Sequence, residues 1–356
     1  MAQRLQASFL WLQNLERTSM DKEERVLLGH GGGGKMTGQL ISRIIVPQLD
    51  RGKLAGLPDS VILSGLGDSI AYTTDSFTVS PIFFPGGDIG SLAVHGTCND
   101  LACSGARPAF LSLGLILEEG LPMRHLERIL KSTAEAADEA GTEIVTGDTK
   151  VVPRGNADSI FINTSGIGRL ETSLSPALEN ISDGDEIIVS GPMGNHGIAV
   201  MLSRADFSFD FDLVSDSASV WPMVERLLEL GPGLKFLRDP TRGGLAATLN
   251  EVASATGKGV FVNESAIPLD GPVKAASEML GLDPLQAANE GKIVAVVAKG
   301  KGEIALNLLK DLPLAEGASI IGEVGPENAS RVIMRTRVGG SRVLAEPSGE
   351  LLPRIC

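Results

Sequence analysis

The chain ends Pro353-Arg354-Ile355-Cys356, which puts a thiol on its terminal residue. Only 3 of its 356 residues are cysteine. The stretch from Pro347 to Cys356 carries turn formers and neither a helical nor a strand period. Fully extended, it reaches roughly 33–36 Å, enough to carry the thiol from the surface into a cleft. A prenylation signal needs its cysteine fourth from the end and is excluded. The α-carboxylate on the same residue disfavours thiolate, and Arg354 offsets that only in part. Cys356 therefore reads as a carrier delivered to a site rather than as a self-activated nucleophile.

A second group with chemical potential is a set of aspartates, Asp68, Asp75, Asp100 and Asp148, each at or near the end of an expected element in the first half of the chain. Converging carboxylates hold hard cations such as Mg²⁺, which in turn hold nucleotide phosphates. Any one of the four is as well explained as a cap or turn residue. Three of them stand beside Gly or Asn, and the recurrence favours a cation site. The run Gly29-His30-Gly31-Gly32-Gly33-Gly34-Lys35 lets backbone N–H groups at Gly31 and Gly33 approach a phosphate, with Lys35 adding charge. It is not a Walker loop, because Met36 stands where a hydroxyl residue is required; alone, such a run serves equally as a linker.

These residues need elements to place them. Val61–Leu63 and Ala71–Thr74 read as strands, with Asp68 between them and Asp75 at the end of the second. Pro85-Gly86-Gly87-Asp88 caps an expected helix that runs to Asn99-Asp100. Pro108–Leu117 is a strand, Pro122–Ala140 an amphipathic helix, and Thr142–Thr146 a strand that delivers Gly147-Asp148-Thr149-Lys150. Ser159–Gly168 is a further strand. The pattern lapses between Ile167 and Ser182, a domain boundary. Beyond it, Glu186–Ser190 reads as a strand, and Asn195–Arg204 and Ser219–Leu230 as helices. Asp239-Pro240-Thr241-Arg242-Gly243-Gly244 starts a helix running to Ala255, whose free N–H groups suit an anion. Gly259–Val262, Lys292–Ala298 and segments within Ser319–Val338 read as strands, and Glu290 stands at a strand entrance.

The expected architecture is α/β plus α+β in two domains: an extension over residues 1–25, an N-terminal domain over 26–170, a C-terminal α+β domain over 171–338, and a flexible tail over 339–356. A net charge of −13 argues against nucleic acid and anionic membrane as partners. No apolar run is long enough to span a bilayer. The three cysteines, Cys98, Cys103 and Cys356, do not look like a disulfide framework, and a cytoplasmic location is expected.

Taken together, these motifs resemble the HypE family of hydrogenase maturation proteins, in the superfamily of aminoimidazole ribonucleotide synthetase, selenophosphate synthetase and thiamine monophosphate kinase. The carriers are Gly29-His30-Gly31 to Thr37, Thr74-Asp75-Ser76-Phe77, Phe83 to Gly90, Asn99-Asp100-Leu101-Ala102, Thr146 to Val152, Asp239 to Leu245, Ala288-Asn289-Glu290-Gly291-Lys292 and the terminal Pro-Arg-Ile-Cys. The resemblance implies the two-domain aminoimidazole ribonucleotide synthetase-like fold, a homodimer, ATP with Mg²⁺, and a thiol carbamoylated by a carbamoyltransferase, HypF. It also implies ATP-dependent dehydration of that S-carbamoyl group to a thiocyanate, with cyanide passed to hydrogenase iron through a HypC-HypD scaffold.

On the same basis, Lys150 and Glu290 would polarise and deprotonate the carboxamide, Asp88 and Thr149 would join the nucleotide site, and His95 is a secondary candidate. Two positions depart from the family pattern, Gly32 where relatives usually have Ser, and His95 to Asp100 around the Asn-Asp pair. The rival expectations are a superfamily kinase or amidine-forming synthetase acting on a free small molecule, and a non-catalytic scaffold.

Overall fold

In the computed structural model, residues 34–40, 42, 61–63, 69–170, 176–204, 212–346, 348 and 355–356 are described. A short helix α1 (Lys35–Leu40) and a strand β1 (Val61–Leu63) precede β2 (Ile70–Phe77). Along β2, Ala71, Thr73 and Phe77 are buried while Tyr72, Thr74 and Ser76 are exposed, the period-two signature of a sheet covered on one face. A two-stranded ribbon, β3 (Phe83–Phe84) and β4 (Gly87–Asp88), leads into helix α2 (Ile89–Cys103). Helix α2 is apolar or small on nearly every side and is buried nearly throughout, as such a helix must be. It packs on the inner face of the sheet formed with β5 (Ala106–Glu118), β6 (Glu143–Val152) and β7 (Ile160–Leu170), and against helix α3 (Met123–Ala140). Strand order is β1-β2-β7-β5-β6, antiparallel except for β5–β6, whose parallel pairing requires the crossover that α3 supplies.

The second half is a seven-stranded sheet between helices. Its elements are β8 (Glu186–Val189), α4 (Asn195–Leu202), α5 (Trp221–Leu227), β9 (Leu234–Arg238), α6 (Gly244–Thr256), β10 (Gly259–Asn263), α7 (Gly271–Leu280), β11 (Val294–Val297), α8 (Gly302–Leu309), β12 (Ser319–Gly325), β13 (Val332–Arg335) and β14 (Ser341–Val343). The order is β14-β13-β10-β12-β8-β11-β9. Strands β8 and β11 are buried on both faces, with Ile187 and Val189 in one core and Ile188, Ala295 and Val297 in another. Ala102 and Cys103 of α2 join the second of these cores, so the two halves share packed surface. The α/β-plus-α+β architecture stands.

Several elements differ from the sequence reading. Strand β2 continues to Phe77, so Asp75 lies inside it rather than at its end. Strand β6 runs to Val152, so Gly147-Asp148-Thr149-Lys150 is strand rather than post-strand loop. Helix α6 starts at Gly244, not at Pro240: Gly243 and Gly244 both have positive φ, at 79° and 59°. A Cβ on Gly244 would lie 2.4 Å from the Ala287 carbonyl oxygen, so the turn needs glycine for both conformation and space. Strand β9 and helices α7 and α8 were not anticipated. Among the described residues, no helix is long and apolar enough to cross a membrane.

Candidate functional site

The sheet of the first half and the loops of the second meet around one acidic, buried centre. The β2 pleat turns Asp75 to the same inner face as Thr73, whose hydroxyl donates to Asp100 Oδ2 at 2.9 Å from the last turns of α2. Asp239 follows β9 and is buried. Burial raises the Asp100 carboxyl well above its usual range, and the neighbouring Asp239 and Asp75 charges push it further. Burial likewise lifts Asp239 to about 6, against the lowering pull of Arg238. Asp75 is raised by burial, which outweighs the opposing field of Arg242.

Glu290, 1% exposed, sits in the loop entering β11. Its pKa is raised well above normal by burial first, then by Asp239, Asp75 and Asp216. Its backbone is fixed from two sides. The Glu290 N–H donates to Asp216 Oδ1 at 3.1 Å, and its carbonyl accepts from Asn99 Nδ2 at 2.9 Å. Asn99 also donates to the Ala218 carbonyl and accepts from Val220 N–H, so one α2 side chain ties two loops together. Asn289 does the same work beside it, bridging Gly194 N–H and the Pro240 carbonyl. Gly291 is obligatory here, because a Cβ would fall 1.8 Å from the Asp216 carbonyl oxygen. Among the described residues, Glu290 Oε1 and Asp216 Oδ2 are buried without a hydrogen-bond partner, a costly arrangement in any finished core.

The C-terminus enters this centre. Ile355 is 4% exposed and packs among Phe77, Val79, Phe84, Ile89, Val200 and Ala288. Thr78 donates to the Cys356 oxygen at 3.2 Å from both its N–H and its hydroxyl. Burial pushes the Cys356 thiol up to about 12, with Glu290, Asp75 and Asp239 adding to the effect and Arg242 opposing it. The same proximity raises Arg242, chiefly through the Cys356 charge and then through Asp75, Glu290 and Asp100. Burial thus favours the neutral thiol over the thiolate at Cys356.

The structure thus brings together Cys356, Glu290, Asp75 and Asp100. It places Asp148 and Lys150 elsewhere. Asp148 pairs across the sheet with Gly114, Asn163 and Ser76, the residues of the exposed face, three strands or about 14 Å from β2. The Asp148 carboxylate and Lys150 Nζ form an ion pair at 2.9 Å with both side chains 68% exposed. Asp88 is the N-cap of α2: its Oδ1 accepts from Gly90 N–H at 2.8 Å, from Ser91 N–H at 3.2 Å and from the Ser132 hydroxyl. His95 is buried in α2, 3.0 Å from Ser217 Oγ. Lys35 is exposed at the start of α1, and Thr149 lies in β6. Gly31, Gly33 and Asp68 fall outside the described residues.

Oxygen donors of this kind suit Mg²⁺. Among the described residues, however, no three His, Cys, Asp or Glu side chains stand close enough to hold a metal ion by themselves. Residues that the sequence reading did not assign are Arg242 and Asp239, quoted only as part of a motif, and Asp216, Thr78 and His196. The one available signal for the last was a histidine framed by glycines, Gly194-Asn195-His196-Gly197, at an expected helix start.

The chain is similar to known proteins over most of its length. The family model for the AIR synthase related protein, N-terminal domain, matches residues 59–170, and that for its C-terminal domain matches residues 182–335. The carbamoyl dehydratase HypE of Cupriavidus necator is 47% identical over 336 residues, 94% of this chain and 96% of that protein. The crystal structure of a HypE-HypF complex contains a chain 45% identical, with TM-score 0.82, covering 86% of this chain and 99% of the other. HypE crystallised in complex with ATP is 47% identical, with TM-score 0.78, covering 93% and 100%.

Proposed function

The chain belongs to the HypE family of carbamoyl dehydratases, within the AIR synthase related proteins, and from that premise we propose that it uses ATP to dehydrate an S-carbamoyl group on its own Cys356. The observation that carries this reading is the docked tail, which sets Cys356 within the fields of Glu290 and Arg242 at the acidic centre. An enzyme acting on a free small molecule has no use for its own terminus there.

The chemistry balances as follows. The carboxamide oxygen attacks the γ-phosphorus of ATP, the bond to the bridging oxygen breaks, and ADP leaves. Loss of an N–H proton to Glu290 then drives cleavage of the C–O bond, which expels phosphate. Loss of the second proton completes the C≡N bond of a thiocyanate on Cys356. The products are thiocyanate, ADP, phosphate and one net proton. A carboxylate with a raised pKa is suited to this task because it takes a proton readily and is not yet committed to a hydrogen bond. Arg242 would balance negative charge gathering at the site. Mg²⁺, held by Asp75 and Asp100 with Asp68 and Asp148, would neutralise charge on the nucleotide phosphates. The nucleotide would also meet Gly31, Gly33, Lys35, Asp88 and Thr149.

Asp148 and Lys150 need a second copy of the chain to fit this scheme. They lie on a sheet face that also exposes Tyr72, Phe110, Ile116 and Ile167, an apolar surface suited to a homodimer. Through such an interface Asp148 and Lys150 would serve the site of the partner, Lys150 polarising the carboxamide. The carbamoyl group would come from a HypF carbamoyltransferase, and cyanide would pass to hydrogenase iron through a HypC-HypD complex. Mass spectrometry of the C-terminal peptide, after incubation with carbamoyl phosphate, carbamoyltransferase and ATP, tests the reading. A carbamoyl adduct on Cys356 that loses one water only with ATP supports it; ATP consumption with Cys356 unmodified overturns it.

A further inference from the structure

One buried group in the tail's dock has no part in the chemistry above. His196, the second residue of α4, is fully buried. Its Nε2 lies 2.9 Å from the Ile355 carbonyl oxygen and its Nδ1 lies 2.7 Å from Ser215 Oγ. A carbonyl oxygen can only accept, so Nε2 carries the proton, Nδ1 is the acceptor and the Ser215 hydroxyl donates to it. Ser215 Oγ itself accepts from Ser217 N–H at 3.1 Å, which fixes the hydroxyl rotor. The edge of the ring meets Phe84 at right angles, with 5.4 Å between centroids. Burial drives the imidazole pKa down to about 4, so the neutral ring persists at physiological pH.

We propose that neutral His196, held in one tautomer by Ser215, is the positioning residue that latches the C-terminal tail through the Ile355 main-chain carbonyl. Thr78 holds the next carbonyl, that of Cys356, and the apolar seat holds the Ile355 side chain. None of these contacts involves the sulfur. The latch therefore grips the tail alike whether Cys356 bears a thiol, a carbamoyl group or a cyano group, and it sets the thiol's position rather than its reactivity. A hydrogen bond to a carbonyl also survives only if a donor of the same reach replaces the ring, which separates a latch from a space filler.

The test has two limbs. In the first, Cys356 of the full-length protein is alkylated with a maleimide and quantified by peptide mass spectrometry, which keeps the buried Cys98 and Cys103 apart from it. This limb uses no ATP and no partner, so it stands whatever the fate of the dehydratase reading. In the second, which rests on that reading, carbamoylated protein is given ATP and loss of water is followed in a single turnover. His196→Ala is expected to speed alkylation about tenfold, the factor set by losing one hydrogen bond, to slow dehydration by a similar factor, and to leave carbamoylation by the carbamoyltransferase intact. His196→Gln, which restores an N–H donor, is expected to recover both rates. Folding is checked by circular dichroism; should His196→Ala not fold, Ser215→Ala, which frees the tautomer, carries the same expectation at reduced size. Unchanged alkylation in a folded variant overturns the latch. So does a His196→Gln protein as impaired as His196→Ala. Alkylation that responds as expected while no dehydration occurs in the unmodified protein retains the latch and removes the dehydratase reading instead.

Discussion

Glu290 shows what a buried, unpaired carboxyl costs. Its Oε1 is buried without a hydrogen-bond partner among the described residues, and Asp216 and Asp239 add like charge. A site selected for stability alone would neutralise or pair such a group. Replacing it as Glu290→Gln keeps the shape, removes the proposed base and should slow the proposed ATP-dependent dehydration of carbamoylated Cys356 by about 10²–10⁴. The carbamoyl adduct should still form, and mass spectrometry reads both. His196 makes a second residue-scale prediction, about pH. Its pKa is depressed in the folded chain to about 4 from the ordinary 6.5, so between those values the unfolded chain binds the proton and the folded one does not. Stability from this group is therefore complete above pH 6.5 and is lost as pH falls towards 4, by about 2 kcal/mol at pH 5. Asp239, Asp100 and Glu290, whose carboxyls are raised, change stability in the opposite sense over the same range, so the His196 share is read as the difference between wild type and His196→Gln in urea unfolding at pH 7 and pH 5.

Elements decide which residues meet, and here the sequence was legible in unequal measure. The expected helices, from the Asp88 cap to Asn99-Asp100 and over Pro122–Ala140, and the expected strand over Pro108–Leu117 correspond to Ile89–Cys103, Met123–Ala140 and Ala106–Glu118, because caps, periodicity and apolar runs are local signals. Helix α6 was misplaced at its start because Asp-Pro mimics a cap, while the real start depends on a contact with Ala287 that lies far along the chain. Gly244→Ala should accordingly destabilise by roughly 1–3 kcal/mol, measured by urea denaturation, and disturb Arg242 two residues before it. The aspartates were visible as a recurring type, but not which of them converge. That depends on strand parity and register: Asp75 falls on the inner face of β2, while Asp148 falls in register with Ser76 on the outer face. Nor could the pattern reveal His196, since its role exists only because the last residues of the chain come to lie against it.

At the scale of the molecule, one sheet face is uncovered among the described residues, and Phe110 is 45% exposed upon it. If this face is the homodimer interface proposed above, Phe110→Glu should convert the dimer to a monomer in sedimentation or light scattering, because a charge in an apolar interface is left unpaired. If that interface completes the site, Asp148→Asn and Glu290→Gln proteins, each inactive alone, should complement when mixed. Random exchange then gives about a quarter of wild-type dehydration, since each heterodimer retains one intact site. No recovery after confirmed exchange would mean that Asp148 acts within its own chain or not at all.

The terminus lying in the dock carries a kinetic consequence. If Cys356 is the carrier proposed above, it meets its catalyst in a first-order step, and the tether supplies an effective concentration no diffusing thiol would match. On that reading each visit would be exclusive: while Ile355 is seated, a donor that loads the sulfur and an acceptor that unloads it would have to wait. Throughput is then a matter of traffic along one short segment, and loading, conversion and discharge must take turns. The dwell time of two residues would then set the pace of the proposed cycle.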